Sequence, residues 1–481
     1  MTNFWDYNIW SFLLLIAVLL FSMILAHILK RNLPFLKHSL IPASVLGGLI
    51  ILIMTTIYKV ITKESLFELA IFSIGDKNGN VMSGNTILET ITYHCLAIGF
   101  IAMALRHNKK EKSKQRTKEI FNTGVTTVST YLIQALIGLT LTLCLAPKMS
   151  GLIEASGIIL ALGYGQGTGQ ALNYGRIYEN TYGFVGGANF GLTIAALGFL
   201  SASLGGVIYL NYLRRKNKLK LQNIDEAETL TLEQVQEKNE IPVNGSIDKF
   251  TIQLAIVVCI YAVSYFIMYG LGSIVGEGLK ATIYGFNFLI GTLIAVLFKI
   301  ILQGLQKKKI VKKEYINNFM MNRIGGVAFD IMIVAGIAAI DLEVIKQYWI
   351  LVIIMGILGA IITFIYIRWV SKTLFPTYQY EQFFAMYGML TGTASTGIIL
   401  LREIDPNFET PASDNLVYQN LPAIIFGLPI MFLASYAPQS RMATWICFGI
   451  IAVLLILLLV ILFREQLFKK KQKLKQHKEN Q

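Results

Sequence analysis

Charge is scarce in this chain of 481 residues, of which only 15% are Asp, Glu, Lys or Arg. A soluble globular domain carries about 25%, so a soluble enzyme is excluded, and the 54% hydrophobic content excludes a disordered chain. Cysteine is nearly missing. Cys95, Cys144, Cys259 and Cys447 lie far apart inside apolar runs without a CxxC spacing. Neither a disulfide framework nor a zinc site is expected, and the four read as small buried hydrophobes. Catalytic patterns are absent too: no GxSxG, HExxH, GK[ST] loop or paired-carboxylate constellation occurs. The chain is not expected to be an enzyme, and no organic cofactor is implied. No signal-peptide cleavage site follows the first apolar run.

Long apolar runs are what the chain has. Eleven are long enough to cross a bilayer as helices: 8–29, 39–58, 86–105, 119–146, 184–213, 250–271, 281–302, 324–344, 348–369, 417–436 and 444–463. Two further stretches, 158–174 and 383–401, are apolar but crowded with Gly, Thr, Ser and Gln, and make poor spans. The expected class is an all-α polytopic membrane protein.

The net charge of +14 first suggests an acidic partner, but its placement gives another reading. Basic clusters occupy 106–118, 213–220, 307–313 and the tail from Arg464 to Lys475. If each span crosses once and the two polar stretches turn back, all four clusters fall on one side. Positive residues stay inside, which puts the N-terminus out and the C-terminus in. Were both polar stretches full spans, the second and third clusters would fall outside. The pattern therefore favours re-entrant hairpins. Nucleic-acid binding needs a folded basic module with stacking aromatics, and none is seen.

The polar strip 214–248 divides the chain into two similar halves. ASVLGGLIILIM from Ala43 echoes NFLIGTLIAVLF from Asn287, AIGFIAMAL from Ala97 echoes VAGIAAIDL from Val334, and GYGQGTGQ from Gly163 echoes GMLTGTAS from Gly388. The first half has five spans, so the second enters from the opposite side. The expected plan is two inverted-topology repeats of about five helices, each with one re-entrant hairpin. The divisions are 1–213 (hairpin near 155–176), a linker at 214–248, 249–436 (hairpin near 381–402), and an extra C-terminal helix with a basic tail at 437–481. Irregular backbone at membrane depth is tolerated only where protein or a water-filled cavity covers it, and in secondary transporters that is where ligands bind.

Candidate site residues follow. In the first hairpin Gly165, Gln166, Gly167, Thr168 and Gly169 offer backbone N–H groups for a carboxylate and oxygens for Na⁺. Thr391, Gly392, Thr393, Ser395 and Thr396 in the second bring hydroxyls without formal charge. The other reading of both is close glycine packing and hydroxyls bonded back to helix carbonyls. Asp330 is an ionisable group inside a helix and a candidate cation ligand. Asn189 and Asn420 begin the helices after the hairpins, as cation ligands or caps. Arg176 and Arg402 follow the hairpins and would serve as a positive partner for an anion or as interface anchors. His94 reads as a satisfied core histidine.

These segments carry a resemblance. HSLIPASVLGGLI from His38, AIGFIAMAL from Ala97 and above all GYGQGTGQALNYGRIYENTYGF from Gly163 resemble the bacterial glutamate:sodium symporters. The resemblance spans about 8–436. It implies a homodimer in a bacterial cell membrane, with a scaffold and a mobile core, moving an acidic amino acid, glutamate first, by an elevator motion with Na⁺ as coupling ion. It places the substrate and Na⁺ in the pocket of residues 165–169 and 392–396. The second hairpin lacks the Pro-containing glycine run of the best-known members. Alternatives are a proton- or sodium-coupled carrier of another small organic anion, or an ion channel.

Overall fold

Helix starts in this chain are written in short polar side chains. In the computed structural model, which describes residues 4–37, 39–75, 81–106, 113–216, 247–275, 277–405 and 409–466, Asp6, Ser83, Ser113, Asp248, Asn317, Thr393 and Ser440 each accept a backbone N–H from the first turn of the helix they precede. Such a bond satisfies one of the N–H groups that a helix leaves without an internal partner. It matters more where a bilayer surrounds the helix, because no solvent competes for the job.

The main helices in order are α1 (Tyr7–Asn32), α2 (Ala43–Thr62), α3 (Gly84–Leu105), α4 (Lys114–Leu145), α5 (Ile159–Gln166), α6 (Thr168–Tyr182), α7 (Gly187–Arg215), α8 (Lys249–Ile274), α9 (Asn287–Lys307), α10 (Asn318–Ala338), α11 (Trp349–Leu374), α12 (Gln379–Thr391), α13 (Ala394–Arg402), α14 (Asn420–Tyr436) and α15 (Arg441–Leu462). Short helices at Pro34–Lys37, Glu277–Gly285 and Ala412–Tyr418 lie between them. A two-residue ribbon pairs Ile74–Gly75 with Val81–Met82. Eleven helices among the described residues are long and apolar enough to cross a membrane. The chain is therefore an almost entirely helical, multi-pass membrane protein. The eleven fall where the apolar runs predict them, and the two polar stretches become the short helices α5/α6 and α12/α13. The first of these extends to Tyr182, past the apolar stretch, before Gly183 ends it in the left-handed conformation. The linker at 217–246 and the tail beyond 466, with most of their basic residues, lie outside the described residues, as do His38 and the strip at 107–112.

Glycine sets the closest approaches between elements. A Cβ on Gly138 of α4 would lie 1.9 Å from the Gly157 carbonyl oxygen, and one on Gly191 of α7 would lie 2.2 Å from the Ala171 carbonyl oxygen. In α12/α13, a Cβ on Gly397 would meet the Ala385 oxygen at 2.3 Å, so the two arms lie side by side. Small residues let backbones touch where apolar burial drives no association in lipid.

Two packing groups result. In one, α2 meets α10 through Gly48 on Ile337, α3 meets α10 through Gly99 on Phe329, and α9 meets α3 through Gly291 on Ile101. In the other, α4, α7 and α11 surround the two broken pairs. Gln134 of α4 donates to Thr363 of α11 at 2.9 Å, and Tyr164 of α5 donates to the Gly356 carbonyl of α11 at 2.6 Å. The last helix is integral to the second group: the ring of Phe463, just past α15, stacks on Trp369 of α11 at 4.2 Å.

Candidate functional site

The two short helix pairs break at their polar centres. The first breaks at Gly167, whose φ of 83° and ψ of −170° belong to a region that essentially only glycine occupies. The second breaks at Gly392 and Thr393, and Thr393 then caps α13 through its hydroxyl. The breaks meet: a Cβ on Gly167 would lie 3.6 Å from Thr393 Cγ2 and 3.9 Å from the Gly392 carbonyl oxygen. Two helix C-termini and two N-termini therefore converge on one place, bringing together unpaired carbonyls and unpaired N–H groups.

Beside the convergence lies a cavity of about 150 Å³. A water occupies roughly 10–15 Å³ by that measure, so the space suits a small solute rather than a single ion. Gly165 and Gln166 line it from the first break; Gly392, Thr393 and Ser395 line it from the second. Gln419 and Asn420, at the start of α14, add amides, and Phe100, Phe288, Phe329 and Met332 form an apolar wall. None of the described residues lining it is charged.

α4 holds this arrangement through polar residues at helical spacing on one face. From the end of the second pair toward its break, Tyr378 donates to Glu119 at 2.7 Å, Gln382 donates to Thr123 at 3.2 Å, and Thr127 donates to Gln419 at 2.7 Å. At the break Gln134 donates to the Leu390 carbonyl at 2.9 Å, while its own Oε1 is buried without a hydrogen-bond partner among the described residues. Burial, with the Glu119 carboxylate adding to it, raises the Tyr378 phenol above its ordinary pKa. Gln170, three residues past the first break, is fully buried with both amide atoms unpartnered among the described residues.

The structure distributes the expected residues unevenly. Gly165, Gln166, Gly392, Thr393, Ser395 and Asn420 line the cavity. Gly167, Thr168 and Thr396 adjoin it at the breaks: Thr168 donates to the Met332 carbonyl at 3.4 Å, and Thr396 lies 3.4 Å from the Thr393 hydroxyl. Thr391 bonds back to the Tyr387 carbonyl at 2.7 Å, and Gly169 packs against Leu96 and Met332. Three residues stand apart. Arg402 is exposed at the far end of α13 from the break. Asp330 is on α10 with Ser44 as its neighbour, outside the cavity lining. Asn189 accepts the Asp341 N–H at 2.6 Å and so caps the turn after α10. Arg176 is held by Glu89 of α3 and Glu179 of its own helix. His94 bonds the Tyr261 hydroxyl at 2.7 Å but is exposed rather than in the core. Tyr131, Gln134 and Gln419 carry no motif that marks them in the sequence, although polar residues recurring inside an apolar helix are the signal that finds them.

A family model described as Sodium/glutamate symporter matches residues 81–381, more than half of the chain. The match runs from just before α3 to the start of α12 and includes the first break. No curated protein matches the chain.

Proposed function

Because the chain belongs to the sodium/glutamate symporter family, we propose that it imports glutamate together with Na⁺, binding both where the two helix breaks meet. The observation that carries this reading is the uncharged cavity at the meeting of Gly165–Gly167 with Gly392–Ser395. A buried carboxylate without a partner costs several kcal/mol. With no cationic side chain among the described lining residues, compensation comes from N–H groups at the helix starts and from cations that enter with the substrate. A cation bound nearby then favours the anion, and the anion favours the cation by the same factor. That reciprocity is what symport requires.

In this reading Gly165, Gln166, Gly167, Thr168 and Gly169, with Gly392, Thr393, Ser395 and Thr396, hold the substrate. The Thr168 and Thr391 hydroxyls, nearby carbonyls and the Asn420 amide serve Na⁺, and the Gln134 oxygen, without a partner among the described residues, joins them. Arg402, Asp330 and Asn189 are not among the described lining residues and are assigned supporting roles.

Each broken pair is read as a re-entrant hairpin. The order of three helices, one long helix, a broken pair and a further helix occurs twice, in α1–α7 and α8–α14, which supports two inverted repeats. The two packing groups support an elevator, in which the body carrying the breaks moves against α2, α3, α9 and α10. The basic clusters support an N-terminus outside and a C-terminus inside, and assembly as a homodimer completes the reading.

The experiment is uptake of labelled glutamate by proteoliposomes carrying Thr168→Val and Thr393→Val. Valine keeps the shape and removes the hydroxyl. At least a tenfold loss of Na⁺-driven uptake is expected from the pair, and uptake at the parent level would refute the site.

A further inference from the structure

A second concavity lies on the outer face of the molecule, between α7 and α11. Its volume is about 620 Å³. Leu197 packs on Gly356, and further along both helices the Tyr209 ring meets Phe364 at 5.0 Å. The two helices therefore run in the same direction, and their C-terminal ends lie together.

The walls are apolar and exposed. Leu204 and Ile208 on α7 and Ile357, Ile361 and Ile365 on α11 are 49–69% exposed. The few polar groups on the floor are already satisfied: Tyr164 donates to the Gly356 carbonyl at 2.6 Å and lies 2.9 Å from the Ser201 hydroxyl, and Tyr387 donates to the Ser201 carbonyl at 3.1 Å. Away from the Tyr209 and Tyr212 hydroxyls toward its basic end, the groove thus offers an occupant little to hydrogen-bond, which suits a hydrocarbon chain.

Both apolar stripes end in cations at the same end of the groove. On α7 the series Leu204, Ile208, Tyr212 continues at helical spacing to Arg215. On α11 the series Ile357, Ile361, Ile365 continues to Arg368 and Lys372. The Arg368 guanidinium lies over the rings of Tyr209 at 6.0 Å and Tyr380 at 5.0 Å and donates to Gln379 at 3.0 Å. Arg214 is occupied by Glu403 at 3.1 Å. Arg215, Arg368 and Lys372 have no carboxylate partner among the described residues. An apolar groove between membrane helices with a basic mouth is complementary to an anionic lipid.

We propose that this groove binds one anionic phospholipid, with an acyl chain along the α7/α11 stripe and its phosphate on Arg215, Arg368 and Lys372. A second copy of the chain fits poorly. Groove-to-groove packing about a two-fold axis along the membrane normal is self-matching, and it would set the two clusters of like charge face to face.

The test is native mass spectrometry of the full chain in detergent with equal amounts of palmitoyl-oleoyl phosphatidylglycerol and phosphatidylcholine. The parent is expected to retain the anionic lipid preferentially. Arg215→Gln and Lys372→Gln, both at exposed positions, should each lower its retention about fivefold without lowering the lipid-free melting temperature. Equal retention of the two lipids by the parent would overturn the proposal, as would an unchanged preference in the double variant. So would a disulfide between copies formed by Ile361→Cys on a Cys144→Ser, Cys259→Ser background, because it would put a second chain in the groove.

Discussion

The alternating glycines Gly163, Gly165, Gly167 and Gly169 look alike in the sequence, but they do two different jobs. Only Gly167 has a positive φ, and a Cβ there would meet nothing closer than 3.6 Å. Its constraint is conformational. The other three are constrained by space, with Ile194, Tyr131 and Leu96 in the way of any side chain. Sequence spacing reveals that the segment is special; only the fold reveals which glycine bends. Gly167→Ala should cost about 1–3 kcal/mol in the break conformation, lowering Na⁺-driven glutamate uptake by about tenfold or more while leaving the amount of folded protein unchanged. A variant with full uptake would show that the break does not need this backbone. Gly138→Ala is a different case. There the obstacle is the Gly157 backbone, so the loss falls on stability, about 1–3 kcal/mol or more, and reads out as a lowered melting temperature.

At the scale of elements, the spans were legible because an apolar run of about twenty residues matches the thickness of a bilayer when it is wound as a helix. Their partners were not. Nothing local in the sequence pairs Arg176 of α6 with Glu89 of α3, 87 positions away, and the arginine offers an interface anchor or an anion ligand as its readings. The pair ties the first broken pair to the other packing group. Glu89 is buried at 8% exposure, whereas the Arg176 side chain is 36% exposed. A pair so placed lies between the exposed and fully buried limits, so Glu89→Gln and Arg176→Gln should each destabilise by about 2 kcal/mol, and the double variant by clearly less than the sum. Melting curves of the four proteins give the coupling directly, and additive losses would show that the pair contributes nothing. The polar face of α4 was partly readable, since Thr123, Thr127 and Gln134 recur at helical spacing in an apolar run. That they face the second broken pair was not, because contacts between distant elements leave no trace in one sequence.

For the whole molecule, low charge content announced a membrane protein, and the placing of the basic residues argued that two stretches turn back. The structure adds that the cavity between those stretches has no charged side chain among its described lining residues. A carrier built this way depends on its coupling ion. Each Na⁺ that moves down a potential of 100 mV contributes about 2.3 kcal/mol, and in the proposed reading it also supplies a positive charge that the described lining residues do not. The most direct test is glutamate uptake by proteoliposomes of the full chain, with Na⁺ outside, with Na⁺ equal on both sides, and with K⁺ in its place. The account predicts accumulation against the glutamate gradient only under an inward Na⁺ gradient. Accumulation that persists when Na⁺ is replaced by K⁺ would contradict it.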